Sequence, residues 1–123
     1  MIGISEVEQI HEILIERFGG AKGISDRGIL ESAIGRPFQT FDGKDLYPGP
    51  VDKAAAIFES IISNHPFVDG NKRTAYVLMR LILKTNQLDI DVDQDAKYDF
   101  VLQAASGQLT FVKIRAWIEH NLK

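Results

Sequence analysis

The chain has 123 residues, of which 45% are hydrophobic, and this suffices for one domain with its own core but not for two. Its formal net charge of −3 argues against nucleic-acid binding through a broadly positive surface, and the lack of cysteine excludes disulfides and thiolate metal sites. Because the sequence contains neither a long apolar run nor a basic-then-apolar leader, we expect a cytoplasmic protein without membrane contact.

The first predicted element is an amphipathic helix that ends at Gly19-Gly20. Ser5 and Glu8 have the spacing of a capping box, which predicts where this helix begins. His11 lies inside the helix, and since no motif surrounds it, we expect it to have a structural role. The apolar residues that recur at helical spacing are Val7, Ile10, Leu14 and Phe18.

A short second helix and an irregular segment follow. Asp26 or Ser25 can cap the helix, and Gly35 ends it. Between residues 38 and 50 the sequence becomes polar and rich in glycine and proline, and Asp42-Gly43 is typical of a hairpin turn. A plain surface loop explains this segment equally well.

Two helices are predicted on either side of a loop that begins at His65. Residues 51–64 place apolar side chains on one face, and the helix ends at Asn64-His65-Pro66 because the residue before a proline avoids helical geometry. Residues 71–84 are apolar on almost all sides, which is typical of a buried helix. We therefore expect this second helix to be central in an all-helical domain.

The carboxy-terminal part predicts an acidic linker and two more amphipathic helices. The linker, residues 86–95, has aspartates at alternate positions, but it lacks the glycine and the glutamate of an EF-hand loop. We therefore expect a solvated linker with a helix cap and not a calcium site. The helices span residues 96–106 and 110–121, and Trp117 is expected to lie in the core.

Residues 65–73 combine the kinds of group that phosphate chemistry requires. His65 can accept a proton near neutral pH, and the carboxylate of Asp69 is a hard oxygen ligand suited to Mg²⁺. Gly70 permits a sharp turn into the next helix, whose first backbone N–H groups have no partner within the helix. Lys72 and Arg73 add two positive charges to the partial charge of this helix end. The segment therefore predicts a site for a polyphosphate.

Each of these residues also has a purely structural explanation. A single histidine beside an apolar segment is usually hydrogen-bonded for structure, and an aspartate in the position of Asp69 is a typical helix cap. A glycine can serve the turn alone, and adjacent cations can lie on a solvated face. The order of the residues favours the functional interpretation, because a capping loop requires neither Lys72 nor Arg73.

The string His65-Pro66-Phe67-Val68-Asp69-Gly70-Asn71-Lys72-Arg73-Thr74-Ala75 closely resembles the signature of the Fic/Doc (Fido) superfamily, in particular its Doc, or death-on-curing, branch. Phe18-Gly19-Gly20 with Gly23-Ile24, and Leu30-Glu31-Ser32-Ala33 with Arg36-Pro37, are also similar to the amino-terminal part of Doc-type toxins. The resemblance implies an all-α fold, a single Fido-type domain over residues 1–123. It would have about six helices around a central apolar helix, and a flap or hairpin near residues 38–47.

The resemblance also implies a reaction and its site. ATP with Mg²⁺ would be the donor, His65 would take the proton from a Ser or Thr hydroxyl of a protein target, and Asp69 would bind the metal. Phe67 would fix the loop, and the phosphates would be bound by Gly70, Asn71, Lys72 and Arg73. A flap would pair with the target, and its residues are Phe38, Gln39, Thr40, Phe41, Asp42, Gly43 and Lys44.

The group that is transferred depends on Lys72. Fic-branch enzymes, which transfer AMP, usually have glycine at this position, whereas Doc-branch members with lysine resemble kinases that transfer the γ-phosphate. We therefore expect a protein kinase, with adenylyl transfer as the alternative. Ser63 and Val77 depart from the phage-type Doc pattern, which has arginine and asparagine there, and this leaves the orientation of the donor open. Two other classes remain, a catalytically inactive binding module and a metal-dependent hydrolase that uses His65 and Asp69.

The resemblance also bears on regulation and on the target. Many Fic proteins block themselves with a helix of pattern (S/T)xxxE(G/N), but no Glu in this chain precedes Gly or Asn, so this form of self-inhibition is excluded. We expect instead a separate Phd-like antitoxin that inhibits the protein in trans. The target class that the resemblance suggests is elongation factor Tu.

Overall fold

The computed structural model describes residues 2–123, which form an all-α domain as the sequence predicts. Its helices are α1 (Ile4–Phe18), α2 (Arg27–Gly35), α3 (Pro50–Asn64), α4 (Asn71–Thr85), α5 (Gln94–Ala105) and α6 (Phe111–His120). A 3₁₀ turn, Arg36–Phe38, follows α2 directly, and a hairpin of β1 (Thr40–Phe41) and β2 (Lys44–Asp45) precedes α3. The six helices and the place of the hairpin confirm the predicted fold.

The helix at the centre of the packing is α3. It packs against α2, the 3₁₀ turn, α4, α5 and α6, whereas α4 packs against α1, α3 and α5. Residues 54–56 of α3 are alanines without exposed surface, and such small side chains let neighbouring helices approach closely. The sequence predicts α4 in the central place. The structure gives that place to α3, because α4 keeps an outward face on which Lys72, Arg73 and Lys84 are exposed.

Aromatic side chains join the carboxy-terminal helices to α3. Phe100 of α5 stacks on Phe58 of α3, with ring centroids 4.9 Å apart, and on Trp117 of α6, with centroids 3.7 Å apart. Trp117 was predicted to lie in the core, but it is half-buried and packs against the edge of the core. Since aromatic rings bury large apolar areas, the three rings fix α5 and α6 against the centre of the domain.

The start and the buried face of α1 differ from the prediction. The helix begins at Ile4, so Ser5 lies inside it and the capping box predicted at Ser5 and Glu8 does not form. Phe18 was expected on the buried face but is 55% exposed. The residues that α1 buries are Val7, His11 and Ile15. The buried face thus contains a histidine, which a search for apolar residues alone cannot find.

The helices α3 to α6 begin within two residues of the predicted positions, and the largest difference is at α5, which begins at Gln94 and not at residue 96. Side-chain oxygens of Asp26, Asp93 and Thr110 cap α2, α5 and α6, and accept hydrogen bonds from backbone N–H groups at 3.0, 2.8 and 3.3 Å. The acidic linker therefore does provide a cap, while its first aspartate, Asp89, binds Arg80. Among the residues described, no helix combines the length and the apolar character that crossing a membrane requires.

Candidate functional site

His65 lies where α3 ends and the loop to α4 begins. It is the C-cap of α3, with φ 50° and ψ 57°, a left-handed conformation that is uncommon for a residue with a side chain. Its backbone N–H donates to the carbonyl of Ile61 at 3.2 Å, and the residue is exposed. The backbone therefore fixes the direction in which the side chain leaves the helix end, and the imidazole is open to solvent.

His65 and the start of α4 line a surface depression of about 300 Å³. The other residues around it are Val68, Asp69, Gly70, Asn71, Lys72 and Arg73. Phe67, which was predicted to fix the loop, is 2% exposed and belongs to the core. The residues that the sequence suggests as base, metal ligand and phosphate-binding groups thus surround one cavity.

The amino-terminal end of α4 has no capping side chain. Its N-cap is Gly70, with φ 75°, whereas side-chain oxygens cap α2, α5 and α6. The backbone N–H groups of residues 71–73 lie in the first turn, where a helix offers them no acceptor. Together with the positive end of the helix dipole, they make this end of α4 suited to an anion.

Lys72 and Arg73 are the cations of the depression. Both are exposed, and neither takes part in an ion pair with another of residues 2–123. The guanidinium of Arg73 lies over the ring of Phe18, 4.4 Å from its centroid, so the last residue of α1 orients this charge. Two positive charges therefore remain for a ligand.

Asp69 is hydrogen-bonded to the loop that follows α1. Its Oδ2 accepts from the backbone N–H of Ala21 at 3.1 Å, and its Oδ1 accepts from the N–H of Gly70 at 2.9 Å. The hydrogen bonds from Ala21 and Gly70 lower the pKa of the Asp69 carboxyl below its ordinary value, because they stabilise the charged form. Position 20 must be glycine, since a Cβ there would lie 2.9 Å from Oδ2.

An ionised carboxylate in this position fits Mg²⁺. Within the described part of the chain, no group of three or more His, Cys, Asp or Glu side chains could hold a metal ion by itself. Mg²⁺ in phosphate-transfer sites commonly binds through one or two carboxylates, substrate phosphates and water, so the single carboxylate of Asp69 is compatible with such a site.

The side chain of Asn71 closes the loop. Its Oδ1 accepts a hydrogen bond from the backbone N–H of Phe67 at 3.0 Å, and its Nδ2 donates to the backbone carbonyl of Phe67 at 2.9 Å. Both ends of the amide are thus used within the loop. Only the backbone N–H of Asn71 is therefore free for the predicted contact with a phosphate.

The loop between α1 and α2 runs beside the segment that carries the site. Ile24 and Phe67 form an antiparallel bridge, and the backbone N–H of Val68 donates to the carbonyl of Gly23 at 3.1 Å. The sequence marks this loop by the helix end at Gly19-Gly20 and by a family resemblance, but neither indicates a contact with the site. Its supporting role could have been suspected from its run of glycines, of which Gly20 and Gly23 have positive φ.

The hairpin follows the 3₁₀ turn, and its Asp45 pairs with Lys53 near the start of α3, with Nζ and Oδ2 3.2 Å apart. Its strands are antiparallel, and its turn consists of Asp42 and Gly43, both at positive φ, as predicted from these two residues. Gln39, directly before β1, and Asn64, directly before His65, line one groove of about 620 Å³. This groove thus extends from the residue before the hairpin to the residue before His65.

Comparison with known proteins identifies the family of the chain. Residues 2–83 match the sequence profile of the Fic/DOC family. The chain belongs to the Fic/DOC family. It is 43% identical over 101 residues to Toxin Doc of Mycolicibacterium smegmatis (strain ATCC 700084 / mc(2)155), and the match covers 80% of this chain and 78% of that protein. It is 30% identical over 109 residues to Protein kinase doc of Escherichia phage P1, and here the match covers 89% of this chain and 85% of that protein.

One part of the site lies partly outside the Fic/DOC match. A groove of about 430 Å³ between α4 and α5 adjoins the depression, and Lys72 and Arg73 line both. Its other residues are Tyr76, Val77, Gln94, Asp95, Lys97, Tyr98, Val101 and Leu102. From the sequence, Val77 stands out among them as a departure from the phage-type Doc pattern, and Asp95 as part of the acidic linker. Tyr98 and Leu102 of α5 are 65% and 42% exposed. Two large apolar residues outside the buried face of a helix indicate a binding surface, and this signal was missed.

Proposed function

We propose that this Fic/DOC chain is a Doc-type toxin that transfers the γ-phosphate of ATP to a Ser or Thr hydroxyl of a protein target. The observation that carries the proposal is that His65, Asp69 and the uncapped start of α4 line one depression of about 300 Å³. The names of two similar proteins, Toxin Doc and Protein kinase doc, support it.

His65 would be the general base. Its exposed imidazole would take the proton of the target hydroxyl while that oxygen forms a bond to the γ-phosphorus and ADP leaves with the electrons of the broken bond. The left-handed backbone at His65 fixes the direction in which its side chain leaves the end of α3. An exposed base at a helix end can also be reached by a hydroxyl on a large protein.

The phosphates would bind at the start of α4. The backbone N–H groups of residues 71–73 and the side chains of Lys72 and Arg73 supply donors and positive charge there, and Gly70 has no side chain to obstruct them. Asp69 would hold Mg²⁺, which when bound offsets the charge of the phosphates. Phe67, buried under the loop, would keep these groups in place.

The nucleoside would lie in the groove between α4 and α5. Since Lys72 and Arg73 line both the groove and the depression, a triphosphate whose nucleoside occupies the groove has its α-phosphate near these cations and its γ-phosphate toward His65. The groove combines apolar side chains, such as Val77 and Val101, with donors such as Lys97, and this mixture suits a nucleoside. The preference for phosphate transfer over AMP transfer rests on Lys72, where Fic-branch enzymes usually have glycine.

The hairpin would bind the target. An extended segment could pair with an edge of the two strands, residues 40–45, which overlap the predicted flap of residues 38–44. The groove from Gln39 to Asn64 could then lead its hydroxyl toward His65. Elongation factor Tu is the candidate target, and a Phd-like antitoxin acting in trans is the candidate inhibitor. Both would place the action of the protein in the cytoplasm.

The test is to incubate the protein with Mg²⁺, elongation factor Tu and ATP labelled separately at the α- and γ-phosphates. We expect label from the γ-phosphate on the target, its loss in His65→Ala, and its retention in His120→Ala, which removes an exposed histidine at the end of α6. Label from the α-phosphate would show an adenylyltransferase. Tight binding of Mg-ATP with no label on any protein of a bacterial extract would show a binding module.

A further inference from the structure

His11, on the buried face of α1, contacts the loop of the proposed phosphate site. The residue is 3% exposed, and its ring stacks on the ring of Phe67 with centroids 3.9 Å apart and planes 6° apart. Its Nε2 lies 2.8 Å from the backbone carbonyl oxygen of Asp69. Because a carbonyl oxygen can only accept, Nε2 must carry the hydrogen and donate it. One side chain of α1 thus contacts two residues of the loop.

The surroundings leave Asp69 little freedom. Its carbonyl oxygen accepts from His11, and its carboxylate accepts from the backbone N–H groups of Ala21 and Gly70. A Cβ at Gly70 would lie 3.1 Å from Cδ1 of Ile15 and 3.6 Å from Nε2 of His11, so the start of α4 is in close contact with α1. The direction of the Asp69 carboxylate is therefore set largely by α1 and the loop after it.

We propose that His11 is a positioning residue of the phosphate site, which acts through Asp69 and Phe67 and touches neither donor nor target. This inference rests on the proposed function, in which Asp69 holds Mg²⁺ and must therefore be kept in place. It requires two properties of the imidazole, a flat ring for Phe67 and an N–H donor for Asp69. A histidine that only fills space would need neither.

Two substitutions separate these properties. His11→Phe keeps a stacking ring and removes the donor, whereas His11→Gln keeps a donor and removes the ring. Val7→Ala is the control, since Val7 is fully buried on the same face of α1 and Asp69 is not among its hydrogen-bond partners. We expect His11→Phe to weaken binding of Mg-ADP and to raise KM for Mg-ATP by about tenfold, with a much smaller change in kcat. Val7→Ala should lower the unfolding temperature and leave KM unchanged.

A measurement on the unliganded protein tests the inference without the reaction. In His11→Phe, amide hydrogen exchange should become at least about tenfold faster at Ala21 and Val68, whose N–H groups bind Asp69 and Gly23, while the centre of α3 keeps its protection. If His11→Phe does not fold, the same measurement is made on His11→Gln. Wild-type exchange at both amides, or a rise in KM that Val7→Ala reproduces, would overturn the proposal. If the wild type neither binds Mg-ADP nor transfers phosphate, the proposed function fails, and the exchange measurement still decides the role of His11.

Discussion

Asn71 pairs with the backbone of Phe67 as a neighbouring strand would, through one donated and one accepted hydrogen bond of 2.9 and 3.0 Å. The pair joins the first residue of α4 to the middle of the loop that carries the site. Asn71→Ala leaves both backbone groups of Phe67 without these partners, and we expect it to lower the free energy of unfolding by about 1–3 kcal/mol in urea denaturation. His65 and Asp69 flank Phe67, so the substitution should also displace these two residues. We therefore expect the rate of phosphate transfer to fall by more than the loss of folded protein explains.

Asn86→Ala is the matched control for this substitution. Asn86 follows the other end of α4, and its Nδ2 donates to the backbone carbonyl of Ile82 at 2.8 Å, but the residue is exposed and water can replace the bond. We expect a loss of about 0.5 kcal/mol and unchanged transfer. Equal losses of stability and activity in the two variants would show that the pairing of Asn71 with Phe67 has no special importance.

The residues around the depression could be predicted because they are nearly consecutive, so local rules for caps, turns and helix dipoles apply to them. What supports them could not be predicted in this way. His11 and Ala21 reach Asp69 across 58 and 48 positions of sequence, and only the packing of α1 on the loop brings them together. Likewise the central place of α3 depends on its alanines, which a hydropathy pattern ranks below the larger apolar residues of α4.

The hairpin turn offers a test of target docking. Gly43 has φ 75°, so Gly43→Ala strains the turn between β1 and β2. Since the strands are exposed, we expect little loss of global stability, a rise in KM for the protein target of about threefold to tenfold, and an unchanged KM for Mg-ATP. Steady-state kinetics with each substrate varied in turn measures both constants.

Gly107→Ala controls for backbone strain alone. Gly107 has φ 80° just after α5, and a Cβ there would meet no atom within 4 Å, as is also the case at Gly43. This variant should lose about 1 kcal/mol of stability without any change in KM for the target. If Gly43→Ala also leaves that KM unchanged, the hairpin does not bind the target.

Arg80 and Asp89 form a bidentate pair that predicts how stability changes with pH. Nε and Nη2 of Arg80 donate to the two carboxylate oxygens of Asp89 at 3.1 and 2.8 Å, and chiefly for this reason the pKa of Asp89 is lowered to about 2. A lowered pKa means that the pair stabilises the fold above the ordinary aspartate value of 3.8 and that this stabilisation is lost as the pH falls toward 2.

The contribution of this pair is about 1 kcal/mol, because the lowered pKa sets a limit of roughly 2 kcal/mol and solvent screens the partly exposed Arg80. Asp89→Asn should therefore lower the free energy of unfolding at pH 6 and have little effect at pH 2, as measured by urea denaturation at each pH. Asp91→Asn, at an exposed aspartate of the same linker, should change neither value. The same loss for Asp89→Asn at both pH values would contradict the assignment.

The left-handed conformation of His65 predicts that activity and stability oppose each other there. His65→Gly removes the cost of placing a side chain at φ 50°, so we expect the free energy of unfolding to rise by up to about 1 kcal/mol while transfer is lost. Gln87, at φ 60° after α4, has the same conformation far from the site in sequence, and Gln87→Gly should give a similar gain with full transfer. His65→Ala should abolish transfer without the gain, since alanine keeps the Cβ. Urea denaturation and the γ-phosphate assay, run on the three variants, compare these effects directly. A clear loss of stability in His65→Gly would mean that the imidazole supports the fold, and its assignment as a base exposed for catalysis would lose its structural basis.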